Sequence, residues 1–143
     1  MDLTVQIDTS KLNIRVAVIL KTHNGYIFCE SKQGYYFPVG GRVKINESSL
    51  EAAYREVQEE LEYDMKTLTL CSVLENFFIH DETNIKVHEF CFIYKCDDII
   101  SIELPEFFVE LTEQETLEKD VRPILIKDII AQTPSEIIHH ISK

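Results

Sequence analysis

The chain has 143 residues, 45% of them hydrophobic and 27% charged, which suits one domain with a buried core. Its formal net charge of −11 argues against a general nucleic-acid binder, because a phosphate backbone calls for a basic footprint; a small phosphate-bearing substrate would need a bound metal and a few local cations. No run approaches the roughly 18–20 apolar residues of a membrane span, and the N-terminal segment lacks a basic region followed by an apolar one, so cytoplasmic residence is the default expectation.

Along the chain, the first signal is a β-branched run over 13–20, ending in Val16-Ala17-Val18-Ile19-Leu20, which predicts a buried strand. His23-Asn24-Gly25 marks a turn, and Tyr26-Ile27-Phe28-Cys29 continues as the second strand of a hairpin. After a loop at 31–34, Tyr35-Tyr36-Phe37 form an aromatic segment that runs into a tight turn at Gly40-Gly41. Ser48, with Glu51 three residues later, is a capping box that opens a helix. Leu50, Ala53, Tyr54, Val57 and Leu61 form an apolar stripe on it, centred about 120° from the side carrying Glu56, Glu59 and Glu60.

Two β-type runs, 67–79 and 85–96, flank a polar hairpin loop at 80–84, and a short strand is expected at 106–111. Residues 112–120 are helix-compatible, and Pro123 stands near a helix start. Residues 124–131 and 135–141 read as one or two terminal helices broken at Pro134. This order predicts an α+β fold, one domain over residues 1–143, with helices packed on a mixed sheet. Cys29, Cys71, Cys91 and Cys96 show neither a C-x-x-C pair nor zinc-like spacing and read as reduced core residues.

The acidic side of the helix carries the chemistry. Glu56, Glu59 and Glu60 fall at i, i+3 and i+4, so their like charges repel unless something offsets them. Clustered carboxylate oxygens suit Mg²⁺ or Mn²⁺. The stretch 41–63, GRVKINESSLEAAYREVQEELEY, resembles the signature of the Nudix hydrolases, Gly-x5-Glu-x7-Arg-Glu-U-x-Glu-Glu-x-Gly-U with U apolar. Gly41, Glu47, Arg55, Glu56, Val57, Glu59, Glu60 and Tyr63 match in one register, and Glu62 stands where the family has glycine.

That resemblance implies a Nudix-type α/β/α sandwich, MutT-like, that hydrolyses the pyrophosphate bond of a nucleoside diphosphate linked to another moiety. It implies Mg²⁺ (or Mn²⁺) as cofactor and a small-molecule nucleoside diphosphate derivative as partner. It admits a homodimer and calls for neither a membrane nor a nucleic-acid polymer. Glu56, Glu59, Glu60 and the Gly41 carbonyl would hold metal, and Arg55 would orient the carboxylates through Glu47. The catalytic set is then Glu47, Arg55, Glu59 and Glu89. Glu62 favours the alternative, a catalytically degenerate nucleotide-binding or regulatory module.

Glu89 shares a strand face with Val87, Cys91 and Ile93; it is either an extra ligand or base, or turned to solvent by a bulge. Arg15 and Arg42, with Lys32 and Lys44, are candidates for phosphate contact, and Tyr36 and Phe37, with Tyr35, for stacking on a base or for core packing. His80 and His88 read as ordinary polar residues, and His139 and His140, on a terminal helix, receive no role.

Overall fold

The apolar run at 16–20 is buried on both sides because it forms the middle of a sheet. The structure is a computed structural model and describes residues 1–132 and 138–142. Strand β2 (Ser10–Ile19) lies between β4 (Tyr36–Arg42), antiparallel to it, and β6 (Lys86–Cys96), parallel to it. Beyond β4 come β3 (Tyr26–Glu30) and the edge strand β7 (Phe108–Leu111). Beyond β6 come β5 (Leu68–Ile79) and the edge strand β8 (Ile138–Ser142), while β1 (Thr4–Ile7) pairs with the start of β2.

Alternation along β2 divides the core. Val16, Val18 and Leu20 face helix α1 (Ser49–Leu61), meeting Ala52, Ala53, Val57 and Leu61. Ala17 and Ile19 face the other way, with Cys91 and Ile93, under Leu125, Ile126, Ile129 and Ile130 of α3 (Leu125–Gln132). Helix α2 (Glu113–Glu118), capped by Thr112, leads from β7 toward α3. Helix, mixed sheet and helix make the α/β/α sandwich. All four cysteines are free and buried.

Three local expectations change. The hairpin of β2 and β3 forms only at its turn, where Lys21 bridges Tyr26 and the Thr22 N–H donates to the Gly25 carbonyl at 2.8 Å. Farther along, β4 enters between them, pairing β2 through Val39–Arg42 and β3 through Tyr36–Pro38. A turn signal locates the reversal but says nothing about which strand completes the ladder. At the other terminus, residues 138–142 form a strand parallel to β5 where a helix was expected; residues 133–137, including Pro134, lie outside the described residues. An available sheet edge outweighs local preference in so short a segment. His139 therefore sits on β8, 2.6 Å from Glu75 of β5, and not on a helix.

The third change concerns α1. Its capping box forms as expected, Ser48 Oγ accepting the Glu51 N–H and Glu51 Oε2 accepting the Ser48 N–H, each at 3.0 Å. Its buried side is rotated from the predicted stripe: Glu56 is buried, whereas Leu50 is 39% exposed. At the other end Glu62 is the C-cap, in the left-handed region at φ 52° and ψ 36°, with its N–H bonded to the Gln58 carbonyl. A side chain there costs about 1 kcal/mol, so Glu62→Gly is expected to stabilise the fold by about that much. A melting temperature raised by about 2–4 °C would register this in a thermal scan, and no gain would contradict it.

Candidate active site

Helix α1 comes close to β4 because β4 carries glycine where they meet. A Cβ on Gly41 would overlap the Glu56 carboxylate, and one on Gly40 would overlap the Val16 carbonyl across the ladder. Both glycines are strand residues, not the tight turn expected from the sequence. The chain turns later, at Lys44 to Glu47, where Asn46 takes φ 65° and the Glu47 N–H reaches the Lys44 carbonyl at 3.1 Å. That turn brings Glu47 beside α1.

Arg55 ties the turn, the strand and the helix together. Its Nε donates to Glu47 Oε2 at 2.7 Å and its Nη2 to Glu47 Oε1 at 2.9 Å, a bidentate pair. Nη2 also donates to the Arg42 carbonyl at 2.9 Å, and Nη1 to Glu56 Oε1 at 2.9 Å and Glu59 Oε2 at 3.2 Å. The bond from Arg55 is the main reason the Glu47 carboxyl is held below its ordinary range.

The three helix carboxylates do not all converge. Glu59 has a side chain 53% exposed and leans on Arg55. Glu56 and Glu60 lie close enough to act on one another's charge, and the Gly40 N–H lies close enough to favour the Glu60 carboxylate. Burial raises the pKa of Glu56, against the pull of Arg55. Burial and then the charge of Glu56 push Glu60 up to about 7, against the Gly40 N–H and the charge of Arg15. Among the described residues no three His, Cys, Asp or Glu side chains are already grouped as a metal cage. The Glu56–Glu60 pair still fits a hard divalent cation. Its donors are all oxygen, the missing Cβ of Gly41 lets the Glu56 carboxylate pack against the strand backbone, and Glu60 Oε2 is buried without a hydrogen-bond partner.

A second polar group lies on the α3 side of the sheet. Arg15 and Arg42 are direct partners across β2 and β4, and Asn13, Glu89 and Asn76 are partners across β2, β6 and β5. Glu89 is only 9% exposed, so no bulge turns it to solvent; the irregularity in the β5–β6 ladder falls between Leu70 and Ser72. Burial raises the Glu89 pKa, opposed by Arg15, Arg42 and the amides of Asn76 and Asn13. Arg15 Nε lies 3.6 Å from Glu89 Oε1.

The aromatic candidates separate. Tyr36 and Phe37 are neighbours on a strand and so point to opposite faces, which rules out a joint stacking platform. Tyr36 packs beside the α3-side core, with Lys119 5.7 Å from its ring centre, while Phe37 lies 6.1 Å from the ring of Tyr35. The Tyr35 ring is covered by Arg122 at 4.2 Å. Lys32 is exposed in its loop, and Lys44 contributes its backbone N–H to Glu47 at 3.0 Å. Asn13 and Asn76 were not singled out from the sequence, although each is an amide within a largely apolar strand run, the pattern that made Glu89 conspicuous.

Residues 11–124 match the NUDIX domain, and the chain belongs to the Nudix family. A search of curated proteins finds no match. Among solved structures it is similar to the MutT protein of Bacillus halodurans, at 21% identity and TM-score 0.67, over 89% of each chain. It is similar also to the dihydroneopterin triphosphate pyrophosphohydrolase of E. coli, at 18% identity and TM-score 0.63, over 83% of this chain and 92% of that one. The C. elegans Ap4A hydrolase is 12% identical with TM-score 0.56, over 85% of this chain and 96% of that one. Likeness at these identities is likeness of fold.

The Glu60 shift has a consequence for stability. A carboxyl at about 7 in the fold and 4.5 ordinarily gives the native chain the extra proton between those values, so stability falls as pH rises through that window. Glu60→Gln removes the effect. Without divalent cation, the variant is expected to melt above wild type at about pH 8 and by a smaller margin at about pH 5. Parallel thermal scans check this, and equal margins at both pH values would contradict it.

Proposed function

We propose that this chain hydrolyses the pyrophosphate bond of a small nucleoside diphosphate derivative with Mg²⁺ or Mn²⁺, as an enzyme of the MutT or ADP-ribose pyrophosphatase kind. One observation carries it: two facing carboxylates, Glu56 and Glu60, set against the Gly40-Gly41 backbone with Glu60 Oε2 buried and unpartnered. Membership of the Nudix family supports it, as does likeness to two structures known as a triphosphate pyrophosphohydrolase and an Ap4A hydrolase. Glu62 was the feature favouring a degenerate module, and it keeps the left-handed cap without displacing Arg55 from the glutamates.

Glu56 and Glu60 would hold the cation, joined by the Gly41 carbonyl and by Glu59 as a further ligand or outer partner. The bound cation would neutralise pyrophosphate oxygens and lower the pKa of an attacking water. Arg55 keeps Glu56 and Glu59 in place while Glu47 keeps Arg55 in place, so the donor set is aligned before substrate arrives. Arg15 and Arg42 would take the phosphates. Tyr36, on their side of the sheet, would contact the base or its substituents, while Phe37, on the other face beside Tyr35, is out of reach of the same group. Cytoplasmic residence accords with a free nucleotide substrate, and no helix among the described residues is long and apolar enough to cross a membrane. A homodimer, which the resemblance admits, belongs to the same proposal.

A panel of nucleoside diphosphate derivatives, assayed with and without divalent cation, tests this. Phosphate-containing products are expected only with cation, and Glu60→Gln is expected to reduce turnover at least about 100-fold while the protein stays folded. Near-normal turnover by Glu60→Gln would remove the ligand set, and no product from any compound would remove the hydrolase.

A further inference from the structure

Two arginines stand directly opposite one another in the β2–β4 ladder, Arg15 and Arg42, in a chain whose net charge is −11. Like charges in that position repel, so the pair persists only with a counter-charge close by. Glu89 supplies it, lying 3.6 Å from Arg15 and within electrostatic reach of Arg42. Glu89 in turn is a carboxylate in a row with buried Val87, Cys91 and Ile93, and burying a charge there is costly unless hydrogen bonds compensate. Asn13 and Asn76, its register partners on the flanking strands, set their amides beside it and favour its charged form. Thr4 Oγ1 donates to Asn13 Oδ1 at 3.0 Å, which engages the oxygen of that amide and leaves its nitrogen to other partners.

We infer that Glu89 is a positioning residue: with Thr4, Asn13 and Asn76 beside it, it holds the Arg15–Arg42 pair together on the α3 side of the sheet so that both guanidiniums meet the substrate's pyrophosphate. This rests on the function proposed above and replaces the base or extra metal ligand that the family resemblance implied for Glu89. A separation of 3.6 Å exceeds hydrogen-bond length, and the Arg15 side chain is 38% exposed, so Arg15 is steered by charge while its donors remain available to a ligand. Arg15 also acts on Glu60 through its charge, which places it electrically between the acidic pair of α1 and Glu89.

The test is a double-mutant cycle of Glu89→Gln and Arg15→Ala. It is read by KM and kcat on the best substrate of the panel and by calorimetric titration with methylenediphosphonate plus Mg²⁺, a diphosphate mimic that cannot be hydrolysed. Glu89→Gln is expected to raise both KM and the Kd of the mimic about tenfold with kcat within about threefold. In the Arg15→Ala background the same change is expected to add about threefold or less, because only its effect through Arg42 remains. Asn76→Ala is expected to shift KM and Kd in the same direction by less, which keeps the test open if Glu89→Gln fails to fold.

A kcat collapse on Glu89→Gln in both backgrounds would overturn the inference in favour of direct chemistry. Unchanged KM and Kd would overturn it in favour of a scaffold role. If wild type binds the mimic with this coupling yet hydrolyses nothing, the hydrolase is lost and the positioning role stands. If wild type does not bind the mimic, the positioning role is lost.

Discussion

The site depends on one guanidinium. Arg55 joins four things that the chain supplies separately: the β4–α1 turn through Glu47, the end of β4 through the Arg42 carbonyl, and two helix carboxylates, Glu56 and Glu59. Removing it would leave partly buried carboxylates without their counter-charge, which is why a lost partner costs far more than the pair contributes. The bidentate contact to Glu47 makes the arrangement directional as well as neutralising, and lysine could not reproduce it. Glycine completes the device from the other side, since any side chain at Gly41 would occupy the space of the Glu56 carboxylate.

Glu60, which Arg55 does not bond, is left in deficit. It stands beside the buried Glu56 and is pushed up to about 7 by partial burial and by that neighbour. A fold selected only for stability would place a neutral side chain there. Sites that must bind a charged ligand commonly accept such a cost, which a ligand then relieves. The pair of arginines on the α3 side is the same situation with the sign reversed: like charges are brought together and kept together by Glu89.

Much of this was legible along the chain. The stretch from Gly41 to Glu60 located the helix and its capping box, because those are interactions between residues close in sequence. The pairing of Arg55 with Glu47 was implied by the family resemblance, and the bond to the Arg42 carbonyl was not foreseen. The central strand was legible from an uninterrupted apolar run, since only a strand covered on both faces needs one. Less legible was the outward turn of Glu59: a helical wheel places it on the side of Glu56 and Glu60, and only the position of Arg55 draws it to the rim. Also hidden was the rotation of the buried stripe toward Glu56, which follows from glycine on a strand that the helix meets by packing.

What the sequence by itself determined is therefore local: where helix α1 begins, which residues could chelate, and which runs must be strands. Tertiary structure decided which strands become neighbours. It inserted β4 between β2 and β3, laid 138–142 against β5 as a strand, and aligned Asn13, Glu89 and Asn76 in one row across three strands. The physical reason is that strand pairing joins residues far apart in sequence, so its partners are chosen by the packing of the whole sheet and not by any segment's own preference.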